Sequence, residues 1–585
     1  MIYGYAENGF HREALNMFSQ MRVSGWIPNS FTMVGVLVGL KGIQDPVAGT
    51  SLHGLIVKTG LESNLIVGTA MLHTYAKCGN IRDSYKFFQL MNNPSLVTCN
   101  AMIGGLIHNE LFEEAFAVFN QLQLFGLWPN SVTMLSIIQA CIALGTLILS
   151  ESIHGMVVKR GLCSDVALAN SVLNMYSCLE DLEAATKIFT HMESSDIISW
   201  TTMIGLLVRT EYAHEALNLF CRMGCIGFNL DTTVLMNLVR ACALLGDLKM
   251  GKSIHAQSIV NGFGCDIPLS NSIIAMYAKC GDVYSSRNVF NQMLEKSLIS
   301  WTVMISGYVQ NGGSMDALNL LAKMRLEEDF NIDPMMLASL LTACGEIAGL
   351  EPCKQLHGHV FNAGFAQDRL VQNSLVSAYA KCGFVELAYR VFEEMLCRDI
   401  VSWNTIISGY GINGHGEDAI ALFKEMQRGE ENPDGITYLS VLSACDHSGL
   451  VDDGLMIFKQ MVEEKRIRPT AEHCGCVVDM LARAGRLSDA SAFISIFSDG
   501  GGSNIWRALL GGCCIHSKTM LAKLAADKVF ELESEGSSHA VLLSNIYASV
   551  GRYEDAEVLR LNMTRKGLIK NPGMSFLVGF RPDFG

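Results

Sequence analysis

Proline is scarce in this chain, with 11 residues in 585. That shortage suits helices better than a β-sandwich. An excess of positive charge is also missing. Forty-three Lys and Arg stand against 57 Asp and Glu, a formal net charge of −14. This excludes a generic polycation that holds nucleic acid by bulk charge, and it leaves room for a selective binder with a local basic strip. Charged residues make up only 17% of the chain and hydrophobic ones 50%, which excludes a disordered composition. A lipid-spanning run is lacking too. The most apolar stretch, Leu135 to Leu149, contains Gln139 and Gly145, and its counterpart one period later contains Arg240, Asp247 and Lys249. A span that turns charged in its next copy is a buried repeat helix, so no membrane partner is expected. No two of the 19 cysteines are spaced Cys-x-x-Cys.

What the chain does have is a period, the feature to seek first in a sequence of this length. Tyr75, Tyr176, Tyr277 and Tyr379 recur at spacings of 101, 101 and 102, and His53, His154, His255 and His357 repeat the same three spacings. Trp200, Trp301 and Trp403 recur at 101 and 102. Cys78, Cys280 and Cys382 sit in copies of Tyr-Ala-Lys-Cys-Gly, and Cys141, Cys242, Cys344 and Cys445 in copies of Ala-Cys-x-x-x-Gly. Cysteines repeating at long period cannot form a compact staple and read as reduced, buried hydrophobes. The repeated histidines lie in separate copies, cannot converge on a metal, and read as helix-packing or rim residues. Met1-Ile2-Tyr3-Gly4-Tyr5 matches Met304-Ile305-Ser306-Gly307-Tyr308 three periods on. The chain is therefore expected to begin mid-helix, as a fragment or shortened gene model, with any targeting peptide upstream of Met1.

Each period divides into sub-repeats such as Leu96–Asn130, Ser131–Asp165 and Val166–Asp196, of 35, 35 and 31 residues. Every one carries two apolar-periodic stretches around a Gly-containing turn. In Ile400–Asp434 the stretches are Val401 to Tyr410 and Asp418 to Gln427, the turn is Asn413-Gly414-His415-Gly416, and Ala419, Leu422, Phe423 and Met426 share a face. Such a hairpin cannot bury its face alone, so stacking must build the core. The expected fold class is all-α: a right-handed α-solenoid superhelix of helix-turn-helix repeats. A tetratricopeptide array would show a uniform period of about 34 residues, which this chain lacks.

The segments Ser402-Trp403-Asn404-Thr405-Ile406-Ile407-Ser408-Gly409-Tyr410, Met276-Tyr277-Ala278-Lys279-Cys280-Gly281 and Leu442-Ser443-Ala444-Cys445 resemble plant pentatricopeptide repeat proteins of the PLS subclass, whose P, L and S motifs have the 35/35/31 alternation. Towards the C-terminus, Trp506-Arg507-Ala508-Leu509-Leu510-Gly511 and Leu542-Leu543-Ser544-Asn545-Ile546-Tyr547-Ala548 resemble the E-type motifs of organellar C-to-U RNA-editing factors. The resemblance implies a solenoid of P, L and S motifs over residues 1–470 (about 13 full repeats after a truncated first), a terminal S-type motif over 471–502, two E-type motifs over 503–570 and a truncated extension over 571–585. Longer family members end in a zinc deaminase domain of the DYW type. That chemistry needs His-x-Glu with Pro-Cys-x-x-Cys. His-x-Glu occurs at His11/Glu13, His108/Glu110, His191/Glu193 and His415/Glu417, all within ordinary repeats, and the cysteine pair is absent. No catalytic residue, metal or other cofactor is expected.

The resemblance also implies which residues touch RNA. In the family these are the fifth and last of a motif. The P motifs give Asn100 with Asn130, Thr201 with Asp231, Thr302 with Asp333, and Asn404 with Asp434; the truncated first keeps only Asn29. The S motifs give Thr69 with Ser95, Asn170 with Asp196, Asn271 with Ser297, and Asn373 with Asp399. Helix capping is the competing role for all of these residue types. The fifth residues of the L motifs, Val34, Leu135, Met236, Ala338 and Leu439, are all apolar, which suggests spacing and packing rather than base reading. The second residues of the P motifs, Val97, Ile198, Ile299 and Val401, pack between bases in the family; core packing is their alternative. The expected function is a binder of single-stranded organellar RNA that selects a C-to-U editing site and recruits a DYW-type deaminase and accessory editing factors in trans. The expected location is the mitochondrion, with the chloroplast as the alternative. An RNA stability, splicing or translation factor, and a helical protein scaffold, are the other readings, and a decayed gene product is a further one.

Overall fold

The computed structural model describes residues 1–43, 45–91, 94–122, 124–192, 194–226, 230–327, 332–429, 431–497, 502–532 and 538–565. The expected C-terminal extension from Asn571 onward lies outside them, as does Glu193. Among the described residues there are 34 α-helices and no strand. They come in pairs, and Ile400–Ile412 with Gly416–Arg428 shows why. The second helix is amphipathic: Ala419, Leu422, Phe423 and Met426 are buried, while Glu417, Asp418, Lys424 and Glu425 are exposed. The first helix is apolar on most sides and is covered from two directions, burying Trp403, Ile406 and Ile407. Each fully buried large side chain contributes about 1.5–3 kcal/mol.

Two compact units divide the chain, Met1–Asp282 and Val283–Gly585. In the first, first helices stack on first helices, from Ile2–Glu7 on Ser30–Ile43 through to Thr232–Leu245 on Ile267–Lys279. In the second the same layer runs from Leu298–Gln310 to Ser538–Ser549. Within each unit, a second helix leans on its own first helix and on the next one. This is an α-solenoid, with its core between the two layers.

Two devices let the hairpins approach closely. A Cβ added at Gly409 would lie 2.8 Å from the Cβ of Ala380 on one side, and one added at Gly411 would lie 2.8 Å from that of Ala444 on the other. Glycine here brings both neighbours of one helix into contact. At the hairpin turn, Gly281 and Gly383 adopt φ of +79° and +86°. The second copy, Tyr176-Ser177-Cys178-Leu179-Glu180-Asp181, makes the same turn with Glu180 at φ +57°, which costs on the order of 1–2 kcal/mol.

The periodic aromatics form a repeated core contact. Trp200, Trp301 and Trp403 meet Phe189, Phe290 and Phe392 edge to face, with centroids 5.1, 5.0 and 4.9 Å apart. Each repeated histidine bonds the tyrosine of the following first helix: His53 Nδ1 to Tyr75 at 2.7 Å, His154 to Tyr176 at 3.2 Å, His255 to Tyr277 at 3.0 Å and His357 to Tyr379 at 2.9 Å. The histidines are therefore packing residues that lock one hairpin to the next. Cys141, Cys242, Cys344 and Cys445 are buried free thiols. Desolvation pushes Cys141 up to about 11 and the other three to about 12, so they stay protonated.

Replacing Gly411 with alanine forces a Cβ against the Ala444 backbone, whose Cα would lie 3.0 Å away. Gly411→Ala is expected to lower stability by about 1–3 kcal/mol, read as an earlier urea midpoint by circular dichroism. An unchanged midpoint would mean that the helices are not packed this closely.

Candidate nucleic-acid interface

The last residue of each motif is where the next first helix begins. Ser95, Asn130, Asp196, Asp231, Ser297, Asp333, Asp399 and Asp434 are all N-caps, and each side chain accepts from the backbone N–H three residues on. Capping, the competing role, thus holds at every one of the eight positions. Satisfying an otherwise orphaned amide is what Ser, Asn and Asp do well there.

The cap does not exhaust these side chains. Asp434 Oδ1 accepts from Thr437 N at 2.8 Å and Thr437 Oγ1 at 2.9 Å, and the fifth residue Asn404 donates Nδ2 to the same atom at 3.4 Å. Asn170 Nδ2 donates to Asp196 Oδ1 at 2.9 Å, and Asn100 Nδ2 to Asn130 Oδ1 at 3.3 Å. Thr69 reaches Ser95 through the Thr98 hydroxyl, with O···O distances of 2.8 and 2.9 Å. All three threonines bond their own helix, Thr69 Oγ1 donating to Leu65 O at 2.8 Å, Thr201 Oγ1 to Ile197 O at 2.7 Å and Thr302 Oγ1 to Leu298 O at 3.0 Å. Asp231 and Asp333 accept at Oδ1 from Val234 N and Met336 N. Arg369 Nη1 lies 3.5 Å from Asp399 Oδ2.

Burial is the largest influence on Asp196, Asp399 and Asp434 and pushes them up. The hydrogen bonds from Ser199 and Asn170, from Ser402 and Asn373, and from Thr437 and Asn404 outweigh it and hold all three below the ordinary carboxylate value. They are ionised at neutral pH and can only accept. The amide oxygens of Asn271, Asn373 and Asn404 are buried without a hydrogen-bond partner among the described residues. Such atoms in a native fold call for a partner.

Flanking these polar groups is a row of exposed apolar side chains. Val97, Ile198, Ile299 and Val401 are 68, 58, 61 and 53% exposed, so core packing does not describe them. The sequence reading missed that the row continues into other motifs, at Phe31, Ile66, Val132, Met335, Leu370 and Ile436, all exposed. Its signal was available, an apolar residue three before each fifth position except Met236, which has Thr233. Val401 and Ile436 line an open cavity of about 360 Å³ with Asn404 and Ser440. The hydroxyls bonded to the caps, Thr98, Thr133, Ser199, Ser300, Ser402 and Thr437, were also missed, although a Ser or Thr three residues after the cap marks them; Thr98, Thr133 and Ser199 also bond the fifth residue. The apolar fifth residues of the L motifs are half-buried and offer no such polar network. Among the described residues no group of three or more His, Cys, Asp and Glu is placed to hold a metal.

Asp434 serves two roles that substitution separates. Asp434→Ala removes the cap and is expected to cost about 0.5–2 kcal/mol, whereas Asp434→Asn keeps an accepting oxygen and should stay within a few tenths of wild type. Thermal melts of both variants check this. Equal losses would assign the carboxylate's charge, rather than its cap, to stability.

A model described as "PPR repeat" matches residues 1–26, 69–93, 168–197, 198–228, 270–298, 299–328, 373–400 and 436–465. One described as "PPR repeat family" matches 94–143 and 398–447, and one described as "E motif" matches 516–578. A chloroplastic pentatricopeptide repeat-containing protein of Arabidopsis thaliana is 34% identical over 577 residues, covering 99% of this chain and 71% of that protein. The chloroplastic protein DOT4 of the same plant is 36% identical over 572 residues, 98% of this chain and 66% of that one. A mitochondrial relative, again from Arabidopsis thaliana, is 35% identical over 580 residues and this chain spans 56% of it. The crystal structure of the maize protein PPR10 aligns over 96% of this chain and 83% of its own at a TM-score of 0.55 and 18% identity. The same protein in complex with an 18-nt psaJ RNA element gives 0.57 at 17%. At these identities the likeness concerns the fold. With the relatives' identity and coverage, the repeat matches and the solenoid in agreement, the chain belongs to the plant pentatricopeptide repeat proteins and carries an E motif.

Proposed function

We propose that this chain binds single-stranded RNA sequence-selectively, through the fifth and last residues of its P and S motifs. The observation that carries the reading is the alternation along the first helices: a paired polar site, with its remaining acceptors unspent, between exposed apolar side chains at the second positions. Apolar faces stack on bases, and polar groups between them discriminate pairing edges. The RNA bound to PPR10 in its crystal structure supports the same use of this fold.

Ionised Asp favours the bases with a ring N–H, U or G, whereas Asn or Ser favours C or A. In the family that the repeats resemble, fifth-position Thr goes with purines and Asn with pyrimidines. From the Thr69 motif onward the 5′ to 3′ preference becomes A, C/U, any, U, G, any, C, G, any, U, U. Thr201→Asn is expected to move its repeat from G towards U and leave the neighbours unchanged, with each wrong base costing about 1–3 kcal/mol. Competition binding with single-base RNA variants reads this out. Equal weakening towards every RNA would make Thr201 structural and the register wrong.

The E motif supports the finer reading, selection of an organellar C-to-U editing site with a DYW-type deaminase supplied in trans. The relatives' chloroplastic and mitochondrial names support an organelle of either kind. Purified chain is expected to leave every cytidine of a bound RNA intact, with or without zinc. Conversion by the isolated chain, read by sequencing, would overturn the in-trans assignment.

A further inference from the structure

The repeated histidine of the L motifs has an aromatic neighbour from the second helices in the first and fourth copies and lacks it in the second and in the third, where Val289 and Ile259 take those places. In the first copy, Phe87 meets the His53 ring edge on at 5.1 Å. In the fourth, Phe361 stacks on His357 at 5.0 Å with the planes 27° apart. Phe87 corresponds to Ile188 in the second copy, and Phe361 corresponds to Val158. Neither ring is supplied beside His154, whose ring contact is the edge of Tyr176 at 5.5 Å.

At that place a cavity of about 320 Å³ opens, lined by His154, Val157, Val158, Cys163, Val172 and Ile188 among others. Its volume falls at the lower end of small-ligand sites. The corresponding opening in the first copy is more polar, with Glu62 where the second copy has Cys163. Lys187 at the cavity edge is spent on Glu183, 2.6 Å away, so it adds no free charge. The His154 ring is held by its hydrogen bond to the Tyr176 hydroxyl, and the site is therefore formed before a ligand arrives. Desolvation holds His154 below its ordinary value, which keeps the imidazole neutral at pH 7.

We propose that this cavity is a binding site for a free small planar aromatic, of the size of phenol or indole, which stacks on His154 as Phe361 stacks on His357. It lies on the second-helix side of its L motif and does not depend on the RNA reading.

The test uses the whole chain and two probes of similar size and polarity, phenol and cyclohexanol, followed by saturation-transfer NMR and isothermal titration. Phenol is expected to bind saturably and about three- to tenfold more tightly than cyclohexanol, the range an aromatic pair supplies. Val158→Phe, which copies Phe361, should abolish the binding and leave the melting temperature unchanged or raised. Should that variant fold poorly, Ile188→Phe, which copies Phe87, gives the same readout. Equal affinity for both probes, no saturation by phenol, or unaltered phenol binding in the folded variant would each overturn the site.

Discussion

Every first helix of the array starts with amides that its own backbone cannot satisfy, and half-buried amides left unpaired are costly. From Asn29 to Asp434 the solution is one side chain per motif, the last residue, turned back onto the third residue of the helix it precedes. Because a hairpin's first helix also packs against the one before it, the fifth residue of the preceding motif lies next to that cap. Asn404 and Asp434 are thirty positions apart and share an oxygen. The requirement to cap a helix therefore places two polar side chains of adjacent motifs at one spot, and repeats that placement along each unit. A recognition surface arranged this way is rigid before any ligand arrives, so less ordering is needed on binding.

Much of the fold was legible because a long period is hard to produce by any other architecture. The 101-residue recurrence of Tyr, His and Trp specified stacked hairpins, and the structure pairs those same residues: histidine to tyrosine between hairpins, and tryptophan to the phenylalanine before it. Less legible was which way an apolar residue in an apolar helix faces. Ile406 and Val401 differ little in kind, yet one is fully buried and the other half exposed. The difference is set by where the neighbouring first helix covers the surface, and no local pattern of a helix that is apolar on most sides carries it. Only the register of the repeat, three residues before the fifth position, marks the exposed row at Phe31, Val132 and Ile436. The turn at Glu180 is a different case. Its sequence lacks the glycine, and the packing on both sides imposes the left-handed conformation regardless.

The two chemistries seen at the fifth position follow from side-chain length. Threonine's hydroxyl reaches back to the carbonyl four residues earlier in its own helix, as Thr201 and Thr302 do, and its oxygen keeps its lone pairs for another donor. Asn100, Asn170, Asn373 and Asn404 extend further and donate across to the cap. These four Asn motifs are thereby coupled pairs, while the Thr201 and Thr302 motifs consist of two groups held separately. Substitutions within Asn170–Asp196 or Asn404–Asp434 share a hydrogen-bond network and are not additive in principle; those within Thr201–Asp231 have no shared bond to lose. The apolar fifth residues of the L motifs contribute neither arrangement, though their second positions carry the apolar row on at Phe31, Val132, Met335 and Ile436, with Thr233 as the exception. Exposed apolar surface is thus present at nearly every motif, whereas the polar pairs are confined to the P and S motifs. On the proposed RNA reading, such an array gains affinity from nearly all its repeats and selectivity from about two in three.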